Sequence, residues 1–149
     1  MDAVATRRAI ADQLERLRQL GGLVATYGWD VDQREDRMTV LVRLGPRSRP
    51  ALRFTVRLGC DDYPERAPSL QFTDPSGTGT GAEFWPDQGS AFPAAVSRDR
   101  NVPQLCIPGI REFHEGCHRG DAGKPWRPEL YGFARVLEAV QVLLDEAYP

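Results

Sequence analysis

In two neighbouring stretches of the chain, apolar side chains recur at every second position. Met38, Val40, Val42 and Leu44 alternate with Thr39, Leu41 and Arg43, and Leu52, Phe54, Val56 and Leu58 alternate with Arg53, Thr55 and Arg57. Successive strand residues point to opposite sides of a sheet, so a period of two predicts strands with one buried and one wet face. The link Gly45-Pro46-Arg47-Ser48-Arg49-Pro50 is short and full of breakers, which predicts an antiparallel hairpin. A further strand is expected over residues 69–73, with Leu70 and Phe72 on one face, after the rigid turn Tyr63-Pro64-Glu65-Arg66-Ala67-Pro68. Residues 23–31 form the expected first strand, weakened by Gly28. The sum is a four-stranded antiparallel meander.

Helical periodicity flanks this meander. Val4, Ile10, Leu14, Leu17 and Leu20 recur at mostly helical intervals among charged residues, and Gly21-Gly22 ends the run. Towards the other end, Pro128 is a favoured first helical residue, and Leu130, Phe133, Leu137, Val140 and Leu144 follow at intervals of three and four. That helix is expected to cover one face of the sheet. Between them, residues 74–126 lose all periodicity and collect Gly, Pro, Ser and Asp. So long an irregular stretch in a compact domain is either disordered or functional. Phe84, Trp85, Phe92, Leu105, Ile107, Ile110 and Phe113 are too many apolar anchors for disorder, so the stretch is expected to wrap over the sheet and hold something in place. Helix, meander, structured loop and helix make the class α+β, in a single domain spanning residues 1–149.

Bulk properties exclude several classes. The chain has 149 residues, 41% hydrophobic and 27% charged, the composition of an ordinary globule. No apolar run reaches the roughly 18 residues that span a bilayer, and the charged N-terminal segment has no signal-peptide core. A cytoplasmic protein without membrane contact is expected. With a net charge of −2 and no basic stripe, nucleic acid is not an expected partner. Lys124 is the one lysine among 19 basic residues, as in proteins from GC-rich bacterial genomes. Cys60, Cys106 and Cys117 are odd in number and irregular in spacing. That argues against a disulfide framework and predicts free thiols in a reducing compartment. Cys106, His114, Cys117 and His118 invite a zinc reading, but only His114 and His118 approach the paired spacing of structural sites. Neither a metal nor another cofactor is expected.

Three local signatures, in this order, resemble the ubiquitin-conjugating enzyme superfamily. They are Tyr63-Pro64-Glu65-Arg66-Ala67-Pro68-Ser69-Leu70-Gln71-Phe72, the cysteine in Leu105-Cys106-Ile107, and Trp126-Arg127-Pro128 ahead of the last helix. The resemblance runs from the first helix to about Tyr148. It departs from the family where the His-Pro-Asn tripeptide normally stands, since Ser97-Arg98-Asp99-Arg100-Asn101-Val102-Pro103 takes that place. A compact chain with one C-terminal helix and Cys106-Ile107-Pro108-Gly109-Ile110-Arg111-Glu112-Phe113-His114 looks most like the divergent bacterial members. The resemblance implies that Cys106 carries a ubiquitin-like modifier as a thioester, taken from an activating-enzyme-like protein and passed to an amine on an acceptor protein. Several such bacterial systems are linked to antiphage defence. It also offers a second account of the lone lysine: an enzyme that acylates lysines gains by displaying few.

Such transfer needs an accessible thiol, a donor to steady the oxyanion, and a group that relieves the amine of its proton. Leu105 and Ile107 would bury on one side of an extended segment and leave Cys106 pointing outward on the other, with Pro103 and Pro108 restricting the backbone. The alternative is a small buried hydrophobe, the ordinary fate of free cysteine. His114 lies eight residues further on, beyond a turn at Pro108-Gly109. Folded back, it could serve as oxyanion donor, base or both, or simply hold the loop. Asn101 could donate an amide, at a spacing unlike the family's. Glu112 and Asp121 could orient an imidazole or lysine, or be solvated surface charges. Two other functions fit the residue types: a catalytically silent binding module of the same fold, and a Cys-His hydrolase, which lacks the helix that usually presents its nucleophile.

Overall fold

A computed structural model describes residues 2–19, 22–86, 96–97, 103–117 and 125–149. The order is α1 (Ala3–Gln19), α2 (Leu23–Tyr27), β1 (Asp30–Gln33), β2 (Thr39–Leu44), β3 (Phe54–Gly59), β4 (Ser69–Thr73), β5 (Val96–Ser97), β6 (Gln104–Leu105) and α3 (Phe133–Ala147). The fold is α+β: β1 to β4 form an antiparallel sheet in sequence order between an N-terminal and a C-terminal helix.

The period-two pattern decides the sheet. Val40 pairs Leu58, Val42 pairs Val56, Leu58 pairs Leu70 and Val56 pairs Phe72, and all of these side chains are buried. This register sets one continuous apolar face against Ile10, Leu14 and Leu17 of α1 and Phe133, Val136, Leu137, Val140 and Leu144 of α3. Fully burying side chains of this size stabilises by about 1.5–3 kcal/mol each relative to exposure. On α3, Gln141 is buried too. It accepts from the Trp29 indole at 3.0 Å and donates to the Gly45 carbonyl at 2.9 Å, so the helix is pinned to the residue that leads into β1 and to the β2–β3 turn.

Three expectations need correction. Residues 23–31 are not one strand, because Gly22 and Gly28 adopt left-handed angles (φ 76° and 68°) that bracket the short helix α2. The strand begins only at Asp30. The last helix starts at Phe133 rather than Pro128. Leu130 closes a turn onto the Arg127 carbonyl and is exposed, and the Gln13 side chain of α1 accepts the Phe133 amide at 3.1 Å. On α1, Val4 is exposed and Thr6 takes the buried position. Leu20 and Gly21 lie outside the described residues.

The long irregular stretch does fold over the sheet where it is described. Trp85, Leu105, Ile107, Ile110 and Phe113 all enter the core. Strand β6 pairs β5 (Val96 with Leu105, Ser97 with Gln104) and lies beside β4. Phe92 lies outside the described residues. No described helix is long and apolar enough to cross a membrane.

Candidate active site

Cys106 follows β6 directly. Leu105 and Ile107 are buried and Cys106 between them is half-buried, the alternation that an extended segment requires. The buried-hydrophobe role belongs instead to Cys60, which is 1% exposed and whose thiol burial pushes up to about 12.

The chain then reverses at Pro108-Gly109. Gly109 has φ 101°, and a Cβ there would lie 2.7 Å from Val136 Cγ2 and 3.1 Å from Tyr131 Cβ. Only glycine both adopts that angle and lets α3 approach so closely. Beyond the turn, Ile110 and Phe113 anchor the loop in the core. A wide helical turn over Phe113–Cys117 follows and leaves helical angles at Gly116.

Polar contacts fasten the same loop to the segment before β4. The Arg111 amide donates to the Pro68 carbonyl at 2.9 Å, and its guanidinium donates to the Ala67 carbonyl at 3.2 Å and to Asp61 at 2.9 Å. Burial alone would raise the Asp61 carboxyl, but the Arg111 hydrogen bond and the Arg111 and Arg66 charges hold it below the usual range. Arg66 donates to both carboxylate oxygens of Glu115 at 3.1–3.3 Å. The Glu112 carboxylate accepts from the Ser69 hydroxyl and, at 3.1 Å, from the Leu70 amide. It is therefore neither a solvated charge nor an orienter of His114, but the acceptor that begins β4.

His114 sits among rings. Its imidazole lies 5.0 Å from Phe113, 5.7 Å from Trp126 and 5.5 Å from Tyr131, centroid to centroid. Its Nε2 accepts the Gly109 amide proton at 3.0 Å, so a neutral His114 carries its own proton on Nδ1. In this geometry the imidazole holds the turn, and proton transfer at Nε2 would require that bond to open. Trp126 donates its indole N–H to the Pro64 carbonyl at 2.8 Å and packs 6.2 Å from the Tyr63 ring. The Tyr63–Pro64 peptide is cis. Thus the Tyr-Pro turn, the histidine loop and the Trp-x-Pro segment, far apart in sequence, converge on one aromatic cluster.

The thiol itself carries the main correction. Cys106 Sγ is bonded to Cys117 Sγ, with the Cα atoms 6.6 Å apart, inside the range that a disulfide bridges. Cys117 is not an incidental loop thiol, and two of the three cysteines expected to be free are paired. Odd number and irregular spacing misled because Cys60 is inaccessible, which leaves an even pair at the surface. The signal in the sequence was the reversal at Pro108-Gly109, which folds the loop back and returns Cys117 to Cys106. Tyr131, a wall of the cluster, was also missed.

Asn101, His118 and Asp121 lie outside the described residues. Among the described residues no group of three His, Cys, Asp or Glu side chains is placed to hold a metal ion. A separate open groove between α1, α2 and β1, lined by Leu14, Leu17, Val24 and Trp29, shares no residue with the Cys106 loop. Comparison with protein-family models and with curated proteins finds no match for this chain.

Proposed function

We propose that the protein, with Cys106 reduced, is a carrier of a ubiquitin-like modifier. In this reading the modifier passes as a thioester from an activating-enzyme-like protein to Cys106 and then to an amine on an acceptor. The observation that carries the reading is the placement of Cys106: half-buried at the end of β6, between the buried Leu105 and Ile107, on a loop held from several sides. A surface thiol on a rigid loop suits an acyl group that is itself a protein, since the modifier brings its own binding surface and needs no enclosing pocket. The charge step is an exchange in which the Cys106 thiolate displaces the activating enzyme's thiolate at the modifier's carbonyl. His114 holds the loop turn in this reading. Asn101 is a candidate oxyanion donor on its side-chain chemistry. The bacterial conjugation systems of the resemblance, including those linked to antiphage defence, and the cytoplasm are the proposed setting.

A second reading is a binding module of the same architecture without catalysis. The Cys106–Cys117 bond favours it, since a permanently paired sulfur attacks nothing. Incubating the phosphine-reduced protein with the activating-enzyme-like protein, the modifier and ATP separates the two. A mass gain that a thiol reductant removes supports the carrier. No gain in protein whose Cys106 alkylates normally supports the binding module.

A further inference from the structure

We propose that the Cys106–Cys117 disulfide is a reversible lock on the Cys106 thiol, opened by a dithiol reductant, and that Cys117 serves as the locking residue. The proposal rests on the carrier reading for its biological consequence. The lock itself is a statement about sulfur chemistry and can be tested alone.

The first ground is that the loop does not depend on the disulfide for its position. Ile110 and Phe113 are buried at 0% and 2% exposure. Arg111 binds the Pro68 and Ala67 carbonyls, Glu112 binds the Leu70 amide, His114 Nε2 binds the Gly109 amide, and Arg66 binds Glu115. Cutting one sulfur–sulfur bond leaves all of these in place. Both redox forms therefore stay folded, which a switch requires and a structural staple does not.

The second ground is the asymmetry of the two sulfurs. Cys117 is exposed, at the open end of the turn and beside Gly116, whereas Cys106 is half-buried against Leu105 and Ile107. Exposed disulfides are the ones that exchange readily, and access selects the sulfur attacked. A reductant thiolate reaches Cys117 Sγ, forms a mixed disulfide there, and breaks the Sγ–Sγ bond so that Cys106 leaves as thiolate. The reductant's second thiol then displaces Cys117. The dithiol loses two electrons and two protons, and the protein gains both as two thiols. The group released first is the one that carries the acyl group. Cys60 stays outside this exchange because it is 1% exposed and remains a protonated thiol, which is not the nucleophilic form.

The lock also explains why a nucleophile at the surface would need a partner. A peroxide oxidises an accessible thiolate to a sulfenic acid and leaves as hydroxide, and the sulfenic acid then condenses with a neighbouring thiol to a disulfide with loss of water, the step that a reductant reverses. Cys117 would catch Cys106 at that recoverable stage.

The experiment uses the full chain in two forms, wild type and Cys117→Ser. Because Cys117 is exposed, the substitution leaves the core untouched. Each protein is exposed to mild oxidant, freed of it, and treated with iodoacetamide before and after a dithiol such as dithiothreitol, with the alkylated residues mapped by mass. Oxidised wild type is expected to be two hydrogens lighter, to lose Cys106 alkylation, and to regain it after dithiol. A mixed-disulfide trap with a monothiol is expected on Cys117 rather than Cys106. Oxidised wild type that still alkylates at Cys106, or that forms no internal disulfide, overturns the lock. Charging with the activating-enzyme-like protein then separates the two claims. Equal charging of oxidised and reduced wild type overturns the lock while the carrier reading stands. Redox-controlled alkylation without charging of any form upholds the lock and overturns the carrier.

Discussion

The indole Nε1 of Trp126 donates to the Pro64 carbonyl oxygen at 2.8 Å, which ties the segment ahead of α3 to the turn ahead of β4. Tyr63 and His114 pack against the same indole, at 6.2 and 5.7 Å between centroids. The Cys106 loop is therefore framed by residues distant from it in sequence.

Replacing Trp126 with Phe keeps a ring and removes the donor, which leaves the part-buried Pro64 carbonyl without it. Loss of one such bond costs about 1 kcal/mol, and for a chain of this length that lowers the melting temperature by about 3 °C. A thermal scan checks this. An unchanged melting temperature would mean that the indole N–H contributes nothing.

Gly109→Ala should be worse. The new Cβ meets Val136 Cγ2 at 2.7 Å and the backbone is held at φ 101°, so the substitution combines a steric clash with an unfavourable angle. A loss of about 2–3 kcal/mol is expected. Denaturant titration would read it as a lower midpoint at unchanged slope.

Alkaline pH should weaken the fold in two steps. Burial raises the Cys60 thiol from 9.0 to about 12, and burial with the nearby Cys60 raises the Tyr63 hydroxyl from 10.0 to about 12. Above each unfolded value the unfolded chain has released a proton that the native fold keeps. Stability is thus full below pH 9 and falls towards pH 12, at up to about 1.4 kcal/mol per pH unit for each group. Cys60→Ala should remove the limb that begins near pH 9 and leave the one near pH 10. Stability measured by denaturant titration across this range tests it; a wild-type curve that stays flat from pH 9 to 12 contradicts it.

Legibility in the sequence followed the range of the interaction involved. The Val40–Leu44 and Phe54–Leu58 pairing could be read because strand periodicity is local. The helix Leu23–Tyr27 could not, since five residues are too few to show a helical period and the two left-handed glycines that bracket it look like strand breakers. Pro128 suggested a helix start that Gly132 and the Gln13 side chain actually set at Phe133, a contact 120 residues apart in the chain. Cys106 stood out through its flanking Leu105 and Ile107. Its partner did not, because pairing with Cys117 is a property of how the loop folds back and leaves no periodic trace.

The most direct test of the account is to find where the modifier sits after charging. Phosphine-reduced protein, freed of reductant, is mixed with the activating-enzyme-like protein, the modifier and ATP, and the adduct is mapped by mass. A thioester on Cys106 is predicted, lost on adding a thiol, absent from Cys106→Ala and retained in Cys117→Ser. An adduct that survives Cys106→Ala, or none in a protein whose Cys106 is free and alkylatable, would contradict it.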